Sequence, residues 1–62
     1  MYIIRRTDQG GGWMAPPGSL HSYTGDPLKA QRFASYDAAK AYCCPDNEVA
    51  ENLSEMITEA MR

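Results

Sequence analysis

A chain of 62 residues has room for a single domain, 1–62, with one small hydrophobic core. A domain of this size buries only about 60% of the surface that its unfolded chain exposes, so its stability depends on close packing, self-association or a partner. The two cysteines, Cys43 and Cys44, are adjacent and cannot close a loop between distant segments. We therefore expect free thiols in a reducing compartment and a core without covalent support.

The composition predicts a folded protein in the cytoplasm. Hydrophobic residues make up 44% of the sequence, which is too many for a disordered chain. The apolar run at the N-terminus is too short for a signal peptide, and nowhere do about 18 apolar residues follow one another. We expect neither secretion nor contact with a membrane.

The N-terminal half predicts a small antiparallel sheet. Residues 2–7 are rich in Ile and Tyr, residues 8–12 are a strong turn signal, and residues 13–15 form the returning strand. The Pro-Pro-Gly sequence at residues 16–18 ends this pairing, because proline lacks the N–H that a ladder needs. Residues 19–24 can add a third extended segment.

Two short helices are predicted in the middle of the chain. The first begins at Asp26, an N-cap acceptor followed by proline, and covers residues 27–32. The second is capped by Ser35, covers residues 36–43 or 36–44, and is ended by the following proline. The core residues expected in this region are Phe33, Ala39, Tyr42 and Cys43.

The clearest periodicity lies at the C-terminal end and predicts an amphipathic helix. The apolar residues that repeat at spacings of three and four are Val49, Ala50, Leu53, Met56, Ile57, Ala60 and Met61. Asp46 or Asn47 can cap a helix that starts at about residue 48. Asn52, with Glu55 three residues later, is a rival start that would leave residues 47–51 free as a strand. With either start the fold class is α+β, a small antiparallel sheet of two or three strands covered by two or three helices.

Acidic residues are concentrated in the C-terminal part. The net charge is −2, but residues 1–40 contain five bases and three acids, whereas residues 41–62 contain five acids and one base. The four glutamates of this part repeat at helical spacing and would form an acidic face opposite the apolar one. Such a face is usually only solvated, but its like charges repel one another and a basic partner would relieve that repulsion. The predicted partner-binding residues are Glu48, Glu51, Glu55, Glu59, Asp46 and Asp37.

The sequence contains no recognisable motif for catalysis, for a cofactor or for a metal. The glycines at residues 10–12 lack the Lys-Ser/Thr ending of a phosphate-binding loop and precede a predicted strand. His21 has no nucleophile-elbow context, and the adjacent cysteines lack zinc-ligand spacing. We expect a binding protein rather than an enzyme. An alternative binding mode uses Arg5 and Arg6 for phosphates and the strand aromatics for stacking on nucleic-acid bases.

Residues 24–35, TGDPLKAQRFAS, followed by Ala38 and Ala39, form a turn, a Lys-Ala pair and a Phe before a capped helix. This pattern resembles small proteins of phages and mobile elements. With the small size and the acidic C-terminal part, the whole chain resembles the phage-encoded anti-CRISPR proteins that act on type I Cascade complexes. The resemblance implies a stoichiometric inhibitor in the cytoplasm of a bacterial host.

In the mechanism that this resemblance implies, an acidic, DNA-mimicking surface occupies the basic groove with which the protein partner grips target DNA, and so blocks DNA binding. The inhibitor would not bind nucleic acid itself. The alternative is a small nucleic-acid-binding or regulatory phage protein that uses Arg5, Arg6 and the strand aromatics. The oligomeric state is open in both cases.

Overall fold

A computed structural model describes the backbone of residues 1–60 and the side chains of residues 1–58. In chain order the elements are β1 (Tyr2–Arg6), β2 (Trp13–Met14), β3 (Tyr23–Thr24), a 3-10 turn (Pro27–Lys29), α1 (Tyr36–Tyr42), β4 (Glu48–Asn52) and α2 (Leu53–Ala60). The strands form one antiparallel sheet in the order β3-β2-β1-β4. The α+β prediction is confirmed, with four strands in the described part of the chain instead of the two or three expected.

The turn between β1 and β2 is tight because consecutive residues adopt the left-handed backbone conformation. Gln9 and Gly10 have φ angles of 42° and 90°, and a backbone hydrogen bond of 2.8 Å closes the turn. At Gly12 the φ angle is 98°, and a Cβ atom would lie 3.2 Å from the carbonyl oxygen of Thr24. Only glycine fits there without strain. The predicted hairpin is confirmed, and its glycines serve the backbone turn.

The segment between β2 and β3 leaves the sheet as a loop. The Ala15 N–H donates to the Ser22 carbonyl oxygen at 2.9 Å, which closes the loop, and residues 16–22 between them are exposed. Of the predicted third strand, residues 19–24, only Tyr23–Thr24 pairs with β2. The two prolines that lead into the loop explain this, because they supply no N–H for a longer ladder.

The first predicted helix begins as expected but is a single 3-10 turn. The Leu28 N–H donates to the Asp26 side chain at 2.9 Å, and the turn ends at Lys29 rather than at residue 32. The chain then becomes extended, and Phe33 pairs with Tyr2 through two backbone hydrogen bonds of 2.8 Å. Phe33 is buried, as predicted. The pairing with β1 therefore ends the helix early.

The second helix, α1, confirms the predicted cap and most of the predicted buried face. The Ala38 N–H donates to the Ser35 hydroxyl oxygen at 3.1 Å. Ala39 is fully buried and Cys43 is half-buried just after the helix. The prediction that Tyr42 is buried is wrong, because its side chain is 65% exposed and only reaches the outer side of the Phe33 ring.

Residues 48–52 form a strand, so the helix start at residue 48 is wrong and the rival start is confirmed. β4 pairs with β1 over its whole length, from Tyr2 opposite Asn52 to Arg6 opposite Glu48. The Glu55 N–H donates to the Asn52 side-chain oxygen at 3.2 Å, which caps α2. This arrangement satisfies backbone groups of β1 that would otherwise lack partners beside the core.

The sheet is covered on both faces. Ile3 packs with Ala30 and Leu53 on one face, and Ile4 packs with Phe33 and Ala39 on the other. The partly buried residues around these clusters are Trp13 and Met56 on the first face, and Tyr2, Met14, Cys43 and Ala50 on the second. Neighbouring residues of one strand thus belong to two different clusters, because successive side chains point to opposite faces. The predicted contacts of Ala60 and Met61 lie outside the described side chains.

Candidate functional site

The predicted acidic face is not a continuous stripe. Glu48 and Glu51 lie on β4 rather than on a helix, and residues three apart on a strand point to opposite faces of the sheet. The helical placement of these two residues is therefore wrong, although their role in binding remains a prediction. The other predicted residues lie on separate elements. Asp37 and Glu55 are exposed in the first turns of α1 and α2, and Asp46 is exposed in the turn before β4. The Glu59 side chain lies outside the described residues.

Glu48 is buried at the centre of a hydrogen-bond network. Its side chain is 7% exposed, and its two carboxylate oxygens accept hydrogen bonds from the Tyr23 hydroxyl and, at 2.7 Å, from the Cys44 N–H. The Glu48 N–H in turn donates to the Cys44 carbonyl oxygen at 2.9 Å. The carboxylate therefore ties the chain after α1 to β3, at the far edge of the sheet. A buried charge is tolerated only with such partners.

Sequence reasoning missed this network because its members are far apart along the chain. Tyr23 and Glu48 are separated by 25 residues, and neither spacing nor propensity relates them. The rival start of the last helix makes Glu48 a strand residue, but it does not tell which residues of that strand are buried. Burial of Glu48 depends on the segments that pack against β4, and its neighbour Val49 is exposed.

We predict that stability falls at alkaline pH because the pKa values of Tyr23 and Cys43 are raised in the folded protein. The hydrogen bond to Glu48 raises the pKa of Tyr23 above its ordinary value of 10.0, and burial raises the pKa of Cys43 above 9.0. Each group is neutral when protonated, so its contribution is fully present below the ordinary value and is lost as the pH rises through the higher pKa of the folded state. Urea unfolding should show a progressively lower midpoint above pH 9.

Tyr23→Phe provides the control for this pH dependence. The variant lacks the ionising hydroxyl, so its stability should fall less steeply than that of the parent above pH 10. Its stability at neutral pH should be lower because the hydrogen bond is lost. If the stability of the parent and of the variant decreased equally steeply above pH 10, ionisation of Tyr23 would not be the cause of the loss of stability at alkaline pH.

On the opposite face of the sheet, Glu51 holds Arg5 and Trp13. The Arg5 guanidinium lies 3.1 Å from one carboxylate oxygen of Glu51, and the Trp13 indole N–H donates to the other at 3.3 Å. Both charged side chains are partly exposed, so the ion pair adds about 0–1 kcal/mol to stability. These contacts fix the positions of the three side chains, and they pair the charges of Arg5 and Glu51 with each other.

Arg6 is similarly occupied on the same face of the sheet as Glu48 and Ile4. Its guanidinium lies 2.9 Å from an Asp8 carboxylate oxygen and donates at 2.9 Å to the Gln9 side chain. It also lies 4.6 Å from the centre of the Tyr23 ring, within range for a cation–π interaction. Both arginines proposed for phosphate contacts are therefore engaged within the protein.

The charges that remain free of ion pairs include three predicted binding residues. Within the described part of the chain, Asp37, Asp46 and Glu55 are exposed and form no ion pair. The position of two of them in the first turn of a helix is favourable on its own, because the helix dipole stabilises negative charge there. Asp46 lies in a turn, so no helix dipole stabilises its negative charge in this way.

β4 is an edge strand with unused backbone groups. At the ends of its ladder with β1, the Thr7 N–H donates to the Asn47 carbonyl oxygen at 2.8 Å, and the Leu53 N–H donates to the Met1 carbonyl oxygen at 2.9 Å. Hydrogen-bonded pairs alternate along an antiparallel ladder, so the N–H and C=O of Ala50, midway between, point away from β1. Among residues 1–60 no other strand lies on that side.

A groove of about 380 Å³ runs beside this edge, between α1 and β4. Its wall on the α1 side consists of Tyr36 and Lys40, which are four residues apart on one helix face, and of Cys43, just after the helix. Pro45 and residues 48–50 complete it. Tyr36 and Val49 are exposed at the surface, 45% and 39% respectively, so apolar surface adjoins the unused backbone groups.

We also searched the described part of the chain for a metal site and for a membrane-spanning helix. No three His, Cys, Asp or Glu side chains there lie close enough to hold a metal ion. None of the described helices combines the length and the hydropathy needed to cross a membrane. No protein-family model, curated protein or solved structure significantly matches this chain.

Proposed function

We propose that this chain is a non-catalytic binding protein that docks on a basic, nucleic-acid-binding surface of a protein partner. The observation that supports the proposal is the distribution of charge on the described residues. Arg5 and Arg6 are paired with acids of the same domain, whereas Asp37, Asp46 and Glu55 are exposed and have no ion pair with any side chain of residues 1–58. A basic surface is the partner that such carboxylates complement.

The partner class follows from the resemblance to anti-CRISPR proteins. We propose the DNA-binding groove of a type I Cascade complex, in the cytoplasm of a bacterial host, with inhibition by stoichiometric exclusion of target DNA. The contacting carboxylates come from α1, α2 and the turn before β4, rather than from one helix face. They therefore substitute for a few separate phosphates, not for a continuous DNA backbone with a charge every 1.7 Å or so.

Glu48 contributes little to this proposed contact, because both of its carboxylate oxygens already accept hydrogen bonds inside the domain. Glu51 can reach a partner only in competition with Arg5. The alternative, direct nucleic-acid binding through Arg5 and Arg6, has less support because both guanidinium groups are engaged by acids. Binding to the protein partner and direct binding to nucleic acid give different results in the association assay.

We predict that neutralising the three exposed carboxylates slows association with the partner. The variant Asp37→Asn, Asp46→Asn, Glu55→Gln should bind a purified type I Cascade complex about tenfold more slowly at low salt, and the difference should vanish near 0.5 M salt, because charge steering is screened. The measurements are surface plasmon resonance for association and a gel shift for displacement of target DNA.

Lys29→Gln with Arg32→Gln is the matched control, because it changes exposed charges of the opposite sign. This double variant should associate as fast as the parent or faster. If the parent protein binds the target DNA itself at physiological salt, the alternative of a nucleic-acid-binding protein is correct. If the parent neither binds the complex nor displaces its DNA, the proposed partner class is wrong.

A further inference from the structure

We propose that the open edge of β4 captures an extended, basic segment of a partner protein as a fifth strand of the sheet. This inference rests on the proposed function, since it names how the basic partner is held. Its first support is the pair of outward backbone groups of Ala50, an N–H and a C=O, at the middle of a five-residue edge strand. Such groups are the template for strand addition.

The groove beside the edge provides a site for one side chain of the added strand. In an added strand, the residue opposite Ala50 points to the same face of the sheet as Ala50 does. That face holds the groove between α1 and β4, which is lined by Tyr36, Cys43 and Pro45. An apolar side chain of moderate size at this position would pack against them. The next side chains along the strand would lie on the other face, near the exposed Val49.

Charge identifies the class of segment. Asp46 is exposed two residues before β4, and Glu55 is exposed in the first turn of α2, three residues after it. The added strand would thus have near each end a carboxylate that forms no ion pair among the described residues. The five residues of β4 span about 16 Å. Basic side chains about six residues apart in an extended segment, about 20 Å, would therefore reach just past both ends of the strand. Lys40 lines the groove, with its ammonium 5.7 Å from the Tyr36 ring centre, and favours a neutral side chain there.

A second copy of this chain fits the same edge less well. In an antiparallel pairing of β4 with itself, centred on Ala50, the Asp46 end of one copy would meet the Glu55 end of the other. Two like-charge encounters would result, one at each end of the new ladder. A basic segment has attractive encounters at both places. The edge therefore favours a different partner over self-association.

The probe for this proposal is a synthetic peptide, acetyl-Lys-Val-Thr-Val-Thr-Val-Lys-amide, whose central valine would lie opposite Ala50. It is titrated to millimolar concentration into the isotope-labelled full chain at 20 mM salt. We expect the Ala50 amide to shift and to become protected from hydrogen exchange, with saturable binding. The same peptide with glutamate at both ends should bind about tenfold more weakly. A peptide with the same side chains but alternate N-methylated residues should not bind, because it cannot form the ladder.

Two protein variants complete the test. Ala50→Pro removes the outward N–H without removing a bond to β1, so it should abolish peptide binding. Asp46→Asn with Glu55→Gln leaves the backbone intact and should remove the preference for the lysine peptide over the glutamate peptide. This double variant tests the proposal independently if the proline variant does not fold. Circular dichroism reports whether each variant is folded.

Several results would overturn the proposal: no shift at β4, shifts confined to other segments, or equal affinity for the lysine and glutamate peptides. Concentration-dependent dimers with Ala50 protected in the absence of peptide would identify a second copy as the occupant instead. Failure here leaves the association assay with the Cascade complex unaffected, and that assay can fail while the peptides bind. The two proposals are therefore tested separately.

Discussion

Glu48→Ala is expected to lower the free energy of unfolding by about 3 kcal/mol, a third or more of the stability of so small a domain. The substitution leaves the Tyr23 hydroxyl and the Cys44 N–H, both in partly buried hydrogen bonds, without their acceptor. An unpaired group costs about 1–3 kcal/mol, and partial exposure places each of these two in the lower half of that range. A domain of this size has about 3–9 kcal/mol in total. Urea unfolding followed by circular dichroism should show a midpoint lower by about 3 M, or a chain already unfolded in water.

The matched control is Glu51→Ala, three residues further along the same strand. Glu51 is partly exposed and its ion pair with Arg5 is solvated, so its loss should cost about 1 kcal/mol or less. Glu48→Gln should give an intermediate result, because its amide has one acceptor oxygen for two donors. Equal losses for alanine at the two positions would show that Glu48 is a surface residue after all.

Ile3→Ala and Ile4→Ala should each lower the free energy of unfolding by about 2–5 kcal/mol. Both side chains are fully buried, Ile3 against Ala30 and Leu53, and Ile4 against Phe33 and Ala39. Large losses at two consecutive positions require a sheet that is covered on both faces, because neighbouring strand residues point in opposite directions. The measurement is again urea unfolding.

Ile57→Ala is the control for these core substitutions. Ile57 lies on α2 with 36% of its side chain exposed, so truncation there should cost about 1 kcal/mol or less. If the alanine variants at Ile3 and Ile4 are unfolded in water, valine at the same positions should still fold with losses of about 0.5–1.5 kcal/mol. Tolerance of alanine at only one of the two positions would indicate that the corresponding face is open.

Features that depend on neighbouring residues were predicted well. The hairpin, the Ser35 cap and the Asp26 start rest on turn glycines, a hydroxyl and a carboxylate that act within three or four residues. Burial of Phe33 and Ala39 was also predicted correctly. Tyr42 was misplaced because a helix of seven residues buries a narrow stripe, which Ala39 already fills.

The candidate site was less predictable because carboxylates at helical spacing do not by themselves establish a helix. Asp37, Asp46 and Glu55 are exposed, as binding residues must be, but they come from three separate elements. Glu48 and Glu51 were expected beside them on one helix, but both lie on β4, where Glu48 is buried in a hydrogen-bond network and Glu51 is paired with Arg5. Their roles depend on Tyr23, Arg5 and Trp13, which lie more than 20 residues away in sequence.

By itself, the sequence determined the elements that local chemistry specifies: a hairpin at the N-terminus, a capped helix in the middle, and two allowed starts for the last helix. The choice between those starts was made only by the tertiary structure. Residues 48–52 have no strict alternation and also fit a helical period, so periodicity cannot separate the two. β1 decides, because its outer backbone groups need partners that a helix cannot provide, and β4 supplies them along its whole length.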